Sequence, residues 1–224
     1  VAARVFTLVD AQISFMPCVS EGAPLAAGDV LAEISGASRA ILTGERVALN
    51  LLQHLSGVAT NTRAAVRAVA GTPAKIVDTR KTTPGLRALE KYAVRVGGGS
   101  NHRFGLYDGV LIKDNHIAAS GGITNAVRAA RENVPHTLKL EVECETRAQV
   151  EEALAARADI IMLDNMTAAE MAACVALIGG RALTEASGNM GDRDLREVAV
   201  CGVDFISIGA LTHSVRALDI SLRL

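Results

Sequence analysis

From residue 74 onward the chain keeps one rhythm: a short aliphatic run, a polar turn, then a stretch with helical spacing. The aliphatic runs fall at residues 74–78, 110–113, 138–143, 160–163, 182–185 and 205–208. The later ones recur about every 20 residues, as compact βα units require. Helix signals lie between them. Thr83-Pro84 opens one, with Leu86, Leu89, Ala93 and Val96 on one face and Gly97 at its end. Thr146 with Gln149, and Thr167 with Glu170, stand at capping-box spacing. Leu195 and Val198 mark a further helix that stops near Gly202. Strands joined in this way are buried on both faces and need a large aliphatic core. The composition supplies one: half of the residues are hydrophobic, only 3% are aromatic and Trp is absent. The same shortage of aromatics excludes the stacking platforms of single-stranded nucleic-acid binders.

A row of such units suits either a doubly wound sheet or most of a barrel, and the strand ends choose between them. They read DTRK, IKDN, EVEC, LDN, EASGN and SIGALTHS. In a barrel all these ends meet on one rim, where active sites are built. Helix capping alone accounts for Asn165, Thr167 and Ser187. It does not account for Arg80, Lys81, Lys113, Glu143 and Asp164. The pattern therefore predicts an α/β protein whose residues 71–224 form an incomplete, TIM-like α/β barrel.

Residues 1–70 read as a smaller N-terminal α/β domain. Apolar runs at 4–9, 13–15 and 30–34 predict strands. Thr43 is the expected N-cap of a helix through Val47, Leu51, Leu52 and Leu55, bent or broken at Gly57. A second helix is expected from Thr60, with Val66 and Val69 on its apolar face. The segment EGAPLAAGDVLAEISG resembles a carrier-domain hairpin, but residues 1–42 contain no Lys to modify.

Charge is concentrated at the rim. Residues 78–116 hold Arg80, Lys81, Arg87, Lys91, Arg95, Arg103 and Lys113, with His102 and His116, in a chain of formal charge −1. A local cation cluster in a neutral chain points to a small anion rather than to DNA. Arg87, Lys91 and Arg95 have helical spacing and read as solvated. Arg80, Lys81, Arg103 and Lys113 read as ligand-binding, since Arg forks suit carboxylates and Lys suits phosphate. Opposite them, Glu141, Glu143 and Glu145 share one strand face, and Asp164 ends the next strand. Such carboxylates hold Mg²⁺ through water or stabilise positive charge. Ser187-Gly188-Asn189 and Ser207-Ile208-Gly209-Ala210 end the last strands, where barrel loops present N–H groups to phosphate. Gly97-Gly98-Gly99 follows a helix and is no dinucleotide fingerprint. The four cysteines show no C-x-x-C spacing, as expected of a reduced, cytoplasmic protein. No apolar run is long enough to cross a membrane.

With these pieces placed, the chain resembles the quinolinate phosphoribosyltransferase family. The stretches TGERVALNLLQHLSGVAT, VDTRKTTPGLRALEKYAVRVGGGSNHRFGLYDGVLIKDNHI, LEVEC, IIMLDNM, EASGNM and FISIGALTHS carry the likeness, in order, across most of residues 41–216. The resemblance implies transfer of a phosphoribosyl group from phosphoribosyl pyrophosphate (PRPP) to quinolinate, with Mg²⁺ and loss of CO₂. It implies that Arg46, Arg80, His102, Arg103 and Lys113 bind the quinolinate carboxylates. Lys81, Glu143 and Asp164 would face PRPP and its metal, with Glu143 and Asp164 reaching the ion through water. Ser187, Gly188, Asn189, Ser207, Gly209, Ala210 and His213 would lie at the phosphate end. It further implies a homodimer in which Arg46 enters the neighbouring subunit's site. Members carry an additional N-terminal segment, so the small domain is expected to be partial. Two other readings are a Schiff-base enzyme using Lys113 and a binding protein without catalysis.

Overall fold

The computed structural model describes residues 1–224. Its first helix, α1 (Ala2–Val9), stands where the apolar run at 4–9 predicts a strand. The run packs as a helix because Ala2 and Phe6, one turn apart, both reach a small core with Ile13, Ile41 and Ala48. Tertiary burial overrides the β-propensity of its Val and Thr. Two short strands follow, β1 (Ser14–Pro17) and β2 (Ala32–Ser35), paired antiparallel with Ser14 opposite Ser35.

Next comes α2 (Ser38–Ala68), a single unbroken helix of 31 residues. The expected break at Gly57 is absent, and Thr43 is internal, its hydroxyl bonded back to the Arg39 carbonyl. Gly57 serves packing instead: a Cβ there would collide with the Arg216 carbonyl oxygen of the C-terminal segment. The helix joins two cores. Ile41 and Ala48 belong to the small one, and Leu55, Val58 and Ala65 to a main core of 32 buried residues.

The remaining elements alternate. They are β3 (Lys75–Val77), α3 (Arg87–Val96), β4 (Val110–Ile112), α4 (Asp114–Ser120), α5 (Ile123–Asn133), β5 (Leu140–Cys144), α6 (Arg147–Ala155) and β6 (Ile160–Asp164). They continue with α7 (Ala168–Ile178), β7 (Leu183–Ser187), α8 (Leu195–Ala199), β8 (Phe205–Ser207) and α9 (Ala210–His213). The six strands form one sheet in the order β3-β8-β7-β6-β5-β4, every pair parallel. From β4 to β8 each strand lies beside its predecessor, and β3 then closes onto β8. That is the order of a barrel left open between β3 and β4, not of a doubly wound sheet. Part of the open edge is taken by Ser100, which bridges to Val77.

Alternation along the strands gives the sheet two unlike faces. Ile76, Ile112, Leu140, Val142, Cys144, Ile161, Leu163, Ala186 and Ile206 pack against helices in the main core. The other parity carries Glu141, Glu143, Asp164, Glu185, Ser187 and Ser207 to the interior, in registers such as Asp164 beside Ser187 and Met162 between Glu143 and Glu185. Glu145 does not join them: the strand ends at Cys144, and Glu145 is exposed in the turn that precedes α6.

Local signals are read correctly at two caps. Thr146/Gln149 and Thr167/Glu170 are both reciprocal capping boxes. Thr83-Pro84 does not open α3. Instead Thr83-Pro84-Gly85-Leu86 is a turn closed by the Leu86 N–H on the Thr83 carbonyl at 3.0 Å, with Gly85 at φ 79°. Pro followed by a residue at positive φ is the type II signature, and the helix begins only at Arg87.

Candidate active site

The rim is organised by buried carboxylates. Asp78, fully buried at the end of β3, accepts from Lys91 Nζ at 2.5 Å, Asn101 Nδ2 at 2.6 Å and the His102 N–H at 2.8 Å. Lys91 also donates to the His102 carbonyl at 2.9 Å. The expectation of a solvated Lys91 is thus wrong, since the residue is 3% exposed and tied to Asp78. Its ammonium crosses from α3 to a partner on the sheet that helical spacing does not reveal. Arg95 does remain exposed, over the Tyr92 ring. Arg87 is half-buried and donates to Thr82 and to the carbonyls of Arg80 and Phe104. Glu90, also fully buried, joins His54 of α2 at 2.7 Å to the Thr83 N–H at 3.0 Å. The loop DTRKTTPG is therefore held from beneath at both ends.

Arg80 and Arg103 project from this frame. Neither forms an ion pair within the chain. Arg80 Nε is buried without an acceptor, and Arg103 spends one nitrogen on the Gly109 carbonyl at 3.1 Å. Burial first, then the charge of Arg80, pulls the Arg103 guanidinium below its ordinary range. Two cations close enough to disfavour each other, one with a spare buried donor, leave room for an anion with more than one carboxylate.

His102 lies beside them, with its Nε2 3.1 Å from Glu141 and 3.5 Å from Glu185 and its Nδ1 accepting from the Arg103 N–H at 2.8 Å. Burial works against its protonated form, but the bond to Glu141 and the charges of Glu185 and Glu141 prevail, so its affinity for a proton is raised. Burial and the nearby Glu141 push Glu185 up to about 8. Ligand atoms of His102, Glu141 and Glu185 lie within 4.8 Å of one another, but direct imidazole–carboxylate contacts already occupy that space.

Around the mouth, Lys113 pairs with Glu143 at 3.0 Å. Asp164 accepts from the amide of Asn165 at 2.5 Å. Asn165 sits at φ 55° against Gly188; it orients Asp164 and caps no helix. Ser187 likewise caps nothing, its carbonyl taking the Asn165 N–H. Gly209 lies against both the Lys81 and His213 side chains. The Thr212 hydroxyl donates to the Lys81 carbonyl at 2.8 Å and so ties the loop after β3 to α9. Ser207 faces inward, and Asn189 and Ala210 flank the short turn Met190–Asp192. Arg46 alone stands apart: on the first half of α2, it is 70% exposed beside Glu45 at 3.6 Å.

This arrangement, cations over an acidic barrel interior, has known counterparts. The chain matches the C-terminal domain model of quinolinate phosphoribosyl transferase over residues 58–223 and the N-terminal domain model over residues 1–56. The chain belongs to the quinolinate phosphoribosyltransferase family. The two family models meet at Gly57, inside α2. A probable nicotinate-nucleotide pyrophosphorylase (carboxylating) of Bacillus subtilis is 52% identical over 97% of this chain and 75% of its own length. The Mycobacterium leprae nicotinate-nucleotide pyrophosphorylase (carboxylating) is 50% identical over 92% and 73%. Among solved structures, NadC from Streptococcus pyogenes superposes with a TM-score of 0.92 at 49% identity, covering 99% of this chain and 79% of that one. No helix is long and apolar enough to cross a membrane.

Sequence reasoning missed the places of Glu185, Asn165 and the Asp78–Lys91 pair in and around the rim. The signal for Glu185 was available: a lone acid two residues before the rim residue Ser187 shares its parity and must point inward.

Proposed function

We propose that this chain transfers the phosphoribosyl group of PRPP to quinolinate and releases CO₂, giving nicotinate mononucleotide and pyrophosphate, as a decarboxylating pentosyltransferase of NAD biosynthesis. Membership of the family supports the reaction class. The observation that carries the substrate is the pairing of Arg80 and Arg103 without carboxylates of their own, one with an idle buried donor.

In this reading Arg80, Arg103 and Lys113 hold the two carboxylates of quinolinate. Its ring nitrogen attacks C1 of the ribose as the C1–oxygen bond breaks, and the bonding pair leaves with pyrophosphate. Glu143 and Asp164 stabilise the positive charge that develops on the sugar. The quaternary ring nitrogen then draws electrons. The bond from C2 to its carboxylate breaks, CO₂ departs, and C2 takes a proton from solvent. Lys81, with His213, Ser187, Gly188, Asn189, Ser207, Gly209 and Ala210, would meet the phosphates. Glu143 and Asp164 fit a Mg²⁺ reached through water, being two carboxylates on neighbouring strand ends, too few for an all-protein site. When bound, the ion neutralises the departing pyrophosphate. Lys113 stands in an ion pair rather than an apolar pocket, which weakens the Schiff-base reading. The four free cysteines fit a reducing cytosol, and a homodimer would bring Arg46 to the second subunit's site.

Turnover with quinolinate and PRPP tests the proposal, with chelation expected to abolish the activity and added Mg²⁺ to restore it. Nicotinate lacks one carboxylate and would leave a cation unpaired, at about 3–5 kcal/mol. Its kcat/KM should fall at least about a hundredfold. Equal use of the two acids would contradict the assignment of the arginine pair.

A further inference from the structure

Beneath the rim lies a cluster that the reaction as written does not use. Glu141 on β5 and Glu185 on β7 are each 3% exposed. One oxygen of each, Oε1, is buried without a partner. Buried carboxylates with idle lone pairs are costly, and apolar side chains of the same size would serve the fold better. Their other oxygens converge on one atom, His102 Nε2.

His102 is committed on every polar atom. Its N–H goes to Asp78, its carbonyl receives Lys91, its Nδ1 accepts from the Arg103 N–H and its Nε2 faces the two glutamates. When the ring is neutral, acceptance at Nδ1 puts its one proton on Nε2, and Glu141 is the acceptor that selects this tautomer. The ring therefore has no nitrogen left for a substrate. It spans instead from the barrel floor to the backbone of Arg103, and residues 101–103 follow Ser100 at the open edge of the sheet beside β3.

We propose that Glu141, backed by Glu185, is a positioning residue for the dicarboxylate pocket, acting through His102 to fix the backbone that carries Arg103. The inference rests on the assignment of quinolinate as substrate. Arg80 and Arg103 disfavour each other, so the empty pocket needs a rigid mount to keep both guanidiniums in place. Both carboxylates are buried and turn their Oε2 atoms to His102. Ionisation of Glu185 is opposed by burial and by Glu141, which leaves Glu141 the principal acceptor for the ring.

The test begins with wild-type turnover of quinolinate and PRPP, since failure there refutes the substrate assignment and not the mount. Glu141→Met keeps the size and removes the acceptor, whereas Glu141→Gln keeps an acceptor. Glu185→Met is an independent second variant. Quinolinate binding without PRPP is measured by calorimetry, together with both KM values and the melting temperature. Glu141→Met should weaken quinolinate on the order of tenfold or more, with Glu141→Gln restoring most of that loss, and KM for PRPP should change far less. Glu185→Met should weaken quinolinate less strongly and melt no lower than wild type. Wild-type quinolinate affinity in Glu141→Met would overturn the proposal. If that variant does not fold, wild-type affinity in Glu185→Met does so. Equal losses for both substrates with a lowered melting temperature also overturn it, because they describe a purely structural role.

Discussion

At the residue scale, the site depends on charges that the sequence disguises. Lys91 reads as a surface residue because Arg87, Lys91 and Arg95 recur at helical spacing. Its partner Asp78 belongs to a strand, and only the packing of α3 on the sheet brings them within 2.5 Å. Removing one member of a buried pair leaves the other uncompensated, at about 3–5 kcal/mol. Lys91→Met should therefore lower the melting temperature by about 10 °C, and a thermal melt will show it. Glu185 gives a pH signature. Its carboxyl, ordinarily near 4.5, is held up to about 8, so the folded state binds a proton that the unfolded chain releases. That contribution is complete below the unfolded value and is lost as pH rises through the folded one. His102, also raised, acts in the same direction from its ordinary 6.5. Glu185→Gln cannot ionise, so it should melt close to wild type at pH 5 and above it at pH 9. Melting curves at both pH values check the sign. Arg80, Lys113, Glu143 and Asp164 were legible as rim residues because a strand end needs no knowledge of a partner. The Lys113–Glu143 contact was not, because its two members come from different strands.

At the element scale, legibility followed the range of the interaction. Both capping boxes form as their spacing requires, since four consecutive residues contain the whole motif. The helix at residues 2–9 was not readable, because a β-branched run becomes helical only against α2. Nor was the continuity of α2, because Gly57 looks like a breaker until the C-terminal segment is laid across it. Gly57→Ala separates the two views. Helix propensity alone favours Ala by up to about 1 kcal/mol. The added Cβ would instead meet the Arg216 carbonyl oxygen, a backbone atom that cannot rotate away. The variant should melt lower than wild type, and residues 215–224 should become more accessible to proteolysis. A higher melting temperature with an undisturbed tail would show that the segment shifts freely.

At the scale of the whole molecule, the rim gathers its residues from all six strand ends while Arg46 remains outside. The resemblance assigns that arginine to a neighbouring subunit, and mixed assemblies test it. Arg46→Ala should disable the site it reaches and Lys81→Ala the site it belongs to. One site of a mixed dimer then collects both defects and the other neither. Refolding the two inactive variants together should recover activity, about a quarter of wild type under random pairing. Mixed dimers as inactive as their parents would confine Arg46 to its own subunit. The strand order carries a further consequence, for synthesis. The first strand of the main sheet is paired by the last, β3 with β8, and the Thr212 hydroxyl seals the same seam. A nascent chain on the ribosome cannot complete this closure until residues 205–212 have emerged. The DTRK loop, translated before the other five strands of this sheet, stays exposed until the last of them has emerged. Chaperone binding and protease nicking during translation should therefore centre on that loop, and should cease together when the final βα unit clears the exit tunnel.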